Sequence, residues 1–255
     1  MSKLTESLKY VTLLSQINGN RIKYIKSVIA YRLTKYPRTI TFPEMIVKLY
    51  DVKLIARENT QDSAILSNLY ERELTRYLLN KNPGFFVDVG AHIGRFTILL
   101  AKNGSDVLAI EPSSSNYKQL CKNILFNNLS NIKILNIGCS DKEEIGKLVR
   151  IRGYTGHNTF LEKEGDSIEK VKLRKLENII YKKMDNKDII KMDVEGFEIR
   201  VLKGMERILA TQNPILVAEI SYDKDKKEIN TFLNKFNYYN TKILDGRNFV
   251  FEKTI

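Results

Sequence analysis

The sequence predicts an α/β fold in which a parallel, doubly wound sheet carries helices on both faces. From residue 85 onward, short apolar runs alternate with stretches of helical spacing, which is typical of strands joined by right-handed crossovers. The chain of 255 residues is long enough for one such domain with a substantial core. The runs "YNTKIL" and "NFVFEKT" around Asp245-Gly246 predict an antiparallel hairpin at one edge of the sheet.

The predicted elements follow in a regular order. Apolar runs predict strands at 52–57, 85–90, 106–111, 131–138, 188–194 and 214–220. Apolar residues three or four positions apart predict helices at 63–81, 94–102, 115–128, 196–210 and 226–236. A polar stretch from 140 to 188 interrupts the alternation, and its charge-dense part predicts a solvated face.

The first 50 residues differ from the rest in charge. Residues 1–48 hold nine Lys or Arg against two Glu, which leaves +7 of the chain's total of +12. Their apolar spacing predicts amphipathic helices, with stripes at Leu4, Leu8 and Val11 and at Ile22, Ile25 and Ile29. We therefore divide the chain into a basic helical extension, 1–50, and a main domain, 51–255. The extension predicts attraction to an anion, either RNA or an anionic membrane surface, and a solvated lysine-rich surface is the alternative.

Composition excludes several classes of protein. Cys121 and Cys139 fit free thiols better than a disulfide framework or a zinc site. Two histidines exclude a histidine-rich metal centre. No apolar run reaches the roughly 18–20 residues that span a bilayer, and the N-terminus lacks a signal-peptide pattern. We therefore expect a cytoplasmic protein.

Polar residues follow the predicted parallel strands, where ligands bind in open α/β sheets. Acids stand at all five strand ends, which capping of helix N-termini alone would not require. The residues are Asp88 and Gly90, then Glu111, then Ser140 and Asp141, then Asp193 and Glu195, and finally Glu219.

The segment "DVGAHIG" predicts a nucleoside site without phosphates. A dinucleotide fingerprint needs a glycine where this chain has His92, and the charge of Asp88 would oppose phosphates but favour an ammonium or sulfonium group. Glu111 stands where an acid can accept both ribose hydroxyl protons, and Asp141 where an adenine amino group could be read. These parts together predict S-adenosylmethionine as the cofactor.

Four segments carry a resemblance to a known family: "FFVDVGAHIGRFT", "IEPSSSNYKQL", "NIGCSDKE" and "IIKMDVEGFEIRVLKGM…PILVAEI". They resemble the FkbM-type methyltransferases, a branch of the class I S-adenosylmethionine-dependent enzymes, over residues 52–221. "RENTQD" (57–62) resembles a further family element more weakly. The resemblance implies a Rossmann-like sheet of seven strands with an antiparallel last strand. It also implies O-methylation of a hydroxyl on a sugar, polyketide or other small molecule.

The resemblance also assigns roles to individual residues. It implies a cofactor loop of Asp88, Gly90 and Gly94, ribose binding by Glu111, an adenine site at Ser140 and Asp141, and a meeting point of cofactor and substrate at Asp193 and Glu195. His92 is counted with the cofactor loop, although family members often carry asparagine there.

A hydroxyl acceptor must lose a proton, so a base should lie near the methyl group. Glu195 is the first choice, with Asp193 and His157 as further candidates. Asp193, Glu195 and Glu219 could hold Mg²⁺ or Ca²⁺, but carboxylates two residues apart at a strand end can point away from each other, so we predict no metal.

The acceptor itself is open. A small-molecule or glycan hydroxyl is expected, and RNA modification through the basic extension is the alternative enzyme. A third interpretation is a non-enzymatic ligand-binding fold that docks on a membrane or a partner. The closing hairpin or the N-terminal helices could also form a homodimer.

Overall fold

The computed structural model describes residues 12–33, 42–150, 155–161, 165–221 and 223–254. Alternating strands and helices make up this part of the chain. In chain order the elements are β1 (Ile17–Asn18), α1 (Arg21–Leu33), β2 (Met45–Leu49), β3 (Val52–Ala56), α2 (Asp62–Ile65), α3 (Arg72–Lys81), β4 (Phe85–Val89), α4 (Arg95–Lys102), β5 (Asp106–Ile110), α5 (Ser114–Phe126), β6 (Ile132–Leu135), β7 (Gly138–Cys139), β8 (Glu144–Arg150), β9 (Ser167–Arg174), β10 (Ile189–Met192), α6 (Glu198–Lys203), α7 (Glu206–Thr211), β11 (Ile215–Glu219), α8 (Asp223–Asn234), β12 (Tyr238–Leu244) and β13 (Asn248–Lys253).

The central sheet has seven strands in the order β12-β13-β11-β10-β4-β5-β6. The five strands from β11 to β6 are parallel, and β13 lies antiparallel between β11 and β12. This confirms the predicted α/β fold with seven strands and an antiparallel last strand. The chain leaves β4 towards β5 and β6 and later returns to β10 on the other side of β4. The carboxyl ends of β4 and β10 therefore form the crevice in which ligands bind.

Apolar side chains of the sheet alternate between two cores, as the two-residue period of strands requires. Phe86 belongs to one core, together with the N-terminal elements, α4 and α5. Val87 belongs to the other, which is closed by α6, α7 and α8. Because both faces of the sheet are covered, its strands read as continuous apolar runs, which is why the sequence shows them clearly.

The N-terminal extension is not purely helical in its described part. The helix predicted from Ile22, Ile25 and Ile29 is present as α1, but β1, β2 and β3 form an antiparallel sheet. The predicted boundary after residue 50 falls in the turn between β2 and β3, whose buried side chains share a core with Phe86. Along β2 the side chains alternate between buried and more exposed positions, which is the pattern of a strand and not of a helix. The helix predicted from Leu4, Leu8 and Val11 lies outside the described residues.

The polar stretch from 140 to 188 contains a hairpin that the sequence did not predict. β8 and β9 pair antiparallel, and β7 pairs with β9 to complete a second three-stranded sheet. Val171 and Leu173 of β9 point into the protein while their neighbours are exposed. The connection between β8 and β9 brings residues 155–161 to the main sheet, where a short 3₁₀ turn, Thr155–His157, faces the crevice.

The structure bears on two predictions from composition. Cys121 and Cys139 are both free thiols, as predicted. In the described ranges, no helix combines the length and the apolar character needed to cross a bilayer.

Candidate active site

A cavity of about 240 Å³ opens at the carboxyl ends of β4, β5, β10 and β11. The structure brings seven of the predicted site residues to its wall; six come from strand ends that lie far apart in the sequence, and His157 comes from the connection between β8 and β9. They are Asp88, Gly90, His92, Glu111, His157, Asp193 and Glu195. Three other predicted residues, Gly94, Ser140 and Asp141, do not line it.

Gly90 allows the loop after β4 to pass against the end of β10. Its φ is +84°, and a Cβ atom there would lie 1.9 Å from the main-chain oxygen of Asp193. Any side chain would therefore push these two strand ends apart. Gly94 has a packing role instead: its φ is +92°, and a Cβ would lie 2.4 Å from Leu120 Cδ1.

Glu111 forms the wall at the end of β5. Its Oε2 accepts a hydrogen bond from the His92 main-chain N–H at 2.8 Å, and its Oε1 accepts one from the Ser113 N–H at 2.9 Å. Burial raises the pKa of the Glu111 carboxyl to about 7, although these N–H groups favour the ionised form. An acid so placed changes charge near neutral pH.

His92 lines the cavity and carries one buried acceptor nitrogen. Its Nε2 lies 2.9 Å from Thr155 Oγ1, and the Thr155 hydroxyl donates to Asp62 Oδ1 at 3.1 Å. Because that hydroxyl has one proton, His92 Nε2 must be the N–H donor, which leaves Nδ1 as an acceptor. Nδ1 is buried and has no hydrogen-bond partner among the described residues. Burial lowers the pKa of His92 to about 4, so the ring is neutral.

The segment 57–62 supports the Glu111 wall from behind. Asp62 is fully buried and accepts hydrogen bonds from Arg57 Nε at 2.7 Å and Nη2 at 2.9 Å. Arg57 Nη2 also donates to Asn116 Oδ1 at 3.0 Å, and Asn116 Nδ2 lies 3.3 Å from Glu111 Oε1. The weak family likeness of "RENTQD" thus corresponds to a network that joins the N-terminal elements to the cavity.

Two aspartates share one buried lysine at the centre of the crevice. Lys191 Nζ lies 3.3 Å from Asp193 Oδ2 and 3.9 Å from Asp88 Oδ1. Asp88 Oδ2 accepts a hydrogen bond from Thr97 at 2.7 Å, while its buried Oδ1 has no hydrogen-bond partner in the described part of the chain. Burial raises the pKa of Asp88. Burial opposes the charge of Lys191, but Asp193 and Asp88 outweigh it and raise the lysine's pKa.

A group of three carboxylates lies at the β11 side. Single oxygens of Glu71, Asp193 and Glu219 fall within 4.8 Å of one another, the spacing of a metal site. Arg247 already bridges two of them, with 2.9 Å to Glu71 Oε1 and 2.9 Å to Glu219 Oε1. Burial and the neighbouring carboxylates raise the pKa of Glu219 to about 10. Glu195, which the sequence suggested as a third ligand, is not in this group.

His157 and Glu195 form an acid–base pair at the mouth of the cavity. His157 Nδ1 lies 3.5 Å from Glu195 Oε1, and this contact raises the pKa of His157 against the effect of burial. Thr159 Oγ1 donates to the Glu195 main-chain oxygen at 2.9 Å and fixes the 155–161 segment over the end of β10. The sequence analysis predicted each residue as a candidate base but did not predict that the two contact each other.

Ser140 and Asp141 lie beside the cavity. Asp141 Oδ1 accepts hydrogen bonds from Arg200 Nε at 2.7 Å and from Ser140 Oγ at 3.0 Å. Gly138 and Cys139, just before them, line the cavity instead. The assignment of Ser140 and Asp141 to adenine stays a prediction from the family resemblance.

This fold and cavity define a nucleoside-binding α/β domain with an acid–base pair at its opening. A family model described as the methyltransferase FkbM domain matches residues 88–239, more than half of the chain. The chain belongs to this methyltransferase family. Membership confirms the predicted class, a methyltransferase that depends on S-adenosylmethionine.

The individual relatives have low sequence identity to this chain. The methyltransferase sdnD of Sordaria araneosa is 26% identical over 162 residues, which cover 50% of this chain and 62% of that protein. The Pyrococcus abyssi tRNA (uracil-54, C5)-methyltransferase, solved with S-adenosyl-L-homocysteine, has a TM-score of 0.48 and 15% identity over 83% of this chain and 44% of that chain. M. jannaschii TYW2, solved with AdoMet, has a TM-score of 0.43 and 15% identity over 84% and 87%. Similarity at this level carries no inference about the substrate.

Proposed function

We propose that the chain methylates a hydroxyl group of a small-molecule or glycan acceptor. The observation that carries this proposal is the His157–Glu195 pair, at 3.5 Å, on the wall of the cavity that Glu111 also lines. A hydroxyl needs a base to remove its proton, whereas an unprotonated amine does not. A base held beside the cofactor cavity therefore favours O-methylation.

The residues of the cavity fit S-adenosylmethionine. Glu111 can accept protons from ribose hydroxyls, and the main-chain N–H of His92, on the same wall, holds its carboxylate. Asp88 and Asp193 share Lys191, which leaves an excess of negative charge at the ends of β4 and β10, and the cofactor carries a sulfonium and an ammonium group. These acidic acceptors would repel phosphate groups, so the cavity suits an uncharged nucleoside better than a dinucleotide.

When bound, S-adenosylmethionine supplies a methyl group already activated on sulfur. The chain's task is then to orient the acceptor oxygen and to take its proton. We assign the base to His157, acting through Nε2, because its Nδ1 side faces Glu195. Glu195 is the positioning residue, which differs from the expectation that Glu195 is itself the base.

The acceptor end of the cavity is rich in groups that bind hydroxyls. Asp193, Glu219 and Arg247 all line it, and together they offer acceptors and donors in close proximity. Such a surface suits an acceptor with several hydroxyls better than an apolar one.

The ribose assignment predicts how adenosine binds as the pH changes. Adenosine, rather than the full cofactor, avoids titration of the ligand's amino group. The ionised Glu111 is the form that accepts hydroxyl protons, so the affinity should rise between pH 6 and pH 8, through its pKa of about 7. Glu111→Gln should bind about 10- to 150-fold more weakly at pH 8, as expected for lost charge-assisted hydrogen bonds worth roughly 1.5–3 kcal/mol. Isothermal titration calorimetry measures both.

Glu198 provides a matched control. It is also a buried acid with a pKa of about 7 that accepts main-chain N–H groups, those of Val194 and Gly196, but it does not line the cavity. Glu198→Gln should leave adenosine binding and its pH dependence unchanged. If the two substitutions weaken adenosine binding equally, Glu111 does not bind the ribose.

A further inference from the structure

The exposed face of α1 combines apolar and basic side chains. Ile22, Ile25 and Ile29 are 74%, 40% and 52% exposed. They recur at intervals of three and four residues, so they form one stripe along the helix. The sequence of the helix, "RIKYIKSVIAYRL", contains four basic residues and no acidic one.

This stripe is not the face that holds the helix to the protein. Tyr24 and Ser27 are buried and lie on the opposite side of the helix, which rotates about 100° per residue. By the same rotation, Lys26 lies at one edge of the isoleucine stripe, and the exposed Lys23 lies farther round the helix, between that edge and the buried Ser27. The helix therefore presents two different surfaces, one packed into the fold and one directed outward.

The placement of the basic residues does not serve the helix itself. Arg21 and Lys23 stand in its first turn, which has no acid, although the helix dipole disfavours cations at that end. Three exposed isoleucines likewise add nothing to helix stability, because β-branched residues are moderate helix formers.

We propose that α1 docks the protein on an anionic lipid bilayer. The isoleucine stripe would enter the boundary between headgroups and acyl chains, and the flanking lysines would contact anionic headgroups. Charge complementarity selects this occupant. A second copy of the chain would bring like charges together across a two-fold axis, and RNA phosphates gain nothing from an apolar stripe.

The test is sedimentation of the whole protein with phospholipid vesicles. It should bind vesicles of equal parts phosphatidylcholine and phosphatidylglycerol, and not those of phosphatidylcholine alone. The triple variant Ile22→Ser, Ile25→Ser, Ile29→Ser should lower the partition coefficient at least about tenfold, since burial of apolar groups drives insertion. Lys23→Gln with Lys26→Gln should lower it roughly 30-fold, at about tenfold per 1.4 kcal/mol and about 1 kcal/mol per basic residue.

Matched controls come from the second sheet. Ile145 and Ile168 are 60% and 65% exposed, so Ile145→Ser with Ile168→Ser removes comparable apolar surface far from α1 in the sequence. This variant should bind the mixed vesicles like the wild type. Binding of S-adenosylhomocysteine and the thermal unfolding of each variant show whether the fold is intact, independently of the lipid result.

Three results would overturn the proposal. The first is vesicle binding that the isoleucine variant does not weaken. The second is binding to a single-stranded RNA oligonucleotide that the lysine variant abolishes, with no binding to vesicles. The third is a concentration-dependent dimer, seen by analytical ultracentrifugation, that the isoleucine variant dissociates.

Discussion

Lys191→Met is expected to lower the free energy of unfolding by about 3–5 kcal/mol. The side chain of Lys191 is 3% exposed and lies within 4 Å of both Asp88 and Asp193. Removing the lysine would leave two carboxylates near each other with their nearest cation gone, and the loss of one partner of a buried ion pair is more costly than loss of the whole pair. Urea unfolding at pH 8 measures the change.

The pH dependence of the stability loss shows whether the charge of Asp88 causes it. Burial already raises the pKa of Asp88, and removal of Lys191 should raise it further. A raised pKa in the folded state makes stability fall as the pH rises through that value. The gap between wild type and variant should therefore be small in acid and widen towards pH 8. Lys187→Met, at an exposed lysine, is the control and should change stability little; an equal loss there would contradict the account.

His157→Gln is expected to lower kcat for a hydroxylated acceptor by about 10²–10⁴-fold, the usual contribution of a general base. The contact with Glu195 raises the pKa of His157, and a protonated imidazole cannot accept the substrate's proton. The wild-type rate should therefore rise with pH through a value above the ordinary 6.5 of histidine. The assay follows methyl transfer to an acceptor found by screening hydroxylated compounds.

Glu195→Gln separates the base from the residue that positions it. Without the carboxylate, the pKa of His157 should fall, so the rise of kcat with pH should shift to lower pH. The variant should keep part of the activity that His157→Gln loses. If the pH profile stays in place in Glu195→Gln, Glu195 does not set the pKa of His157; if the activity is lost as fully as in His157→Gln, Glu195 is itself required as the base and the proposed roles are reversed.

The strands and their ends could be predicted because the parallel sheet is buried on both faces. Its strands appear as apolar runs, and the residue that follows each run must lie at one edge of the sheet. This reasoning placed Asp88, Glu111 and Asp193 together although the sequence separates them. The geometry differs at the third strand, because β6 ends at Leu135 and the chain then pairs Gly138 and Cys139 with β9. Ser140 and Asp141 therefore lie past the cavity.

Glu71 and Arg247 could not be predicted, because neither follows a parallel strand. Glu71 precedes α3, in the middle of the segment 63–81 that the sequence pattern assigns to one continuous helix. Arg247 lies in the turn of the closing hairpin. They meet only because β13 inserts beside β11 and places its turn at the carboxyl end of the sheet. Contacts of this kind depend on the order of strands, which local patterns do not contain.

The hairpin of β8 and β9 was missed because charged side chains alternate with few apolar ones. Along β9 only Val171 and Leu173 are buried, too few to distinguish a strand from a solvated loop. The same hairpin carries His157 to the cavity. The sequence could name this histidine as a candidate, but only the fold brings it against Glu195.

Titration of the unmodified protein with S-adenosylhomocysteine, with NAD as the comparison, tests the central claim most directly. We expect one site with a dissociation constant on the order of micromolar for S-adenosylhomocysteine and no measurable heat with NAD. No binding of S-adenosylhomocysteine to the folded protein, or binding of NAD at equal strength, would contradict it. The cavity between Gly90 and Glu111 would then not be the cofactor site proposed here.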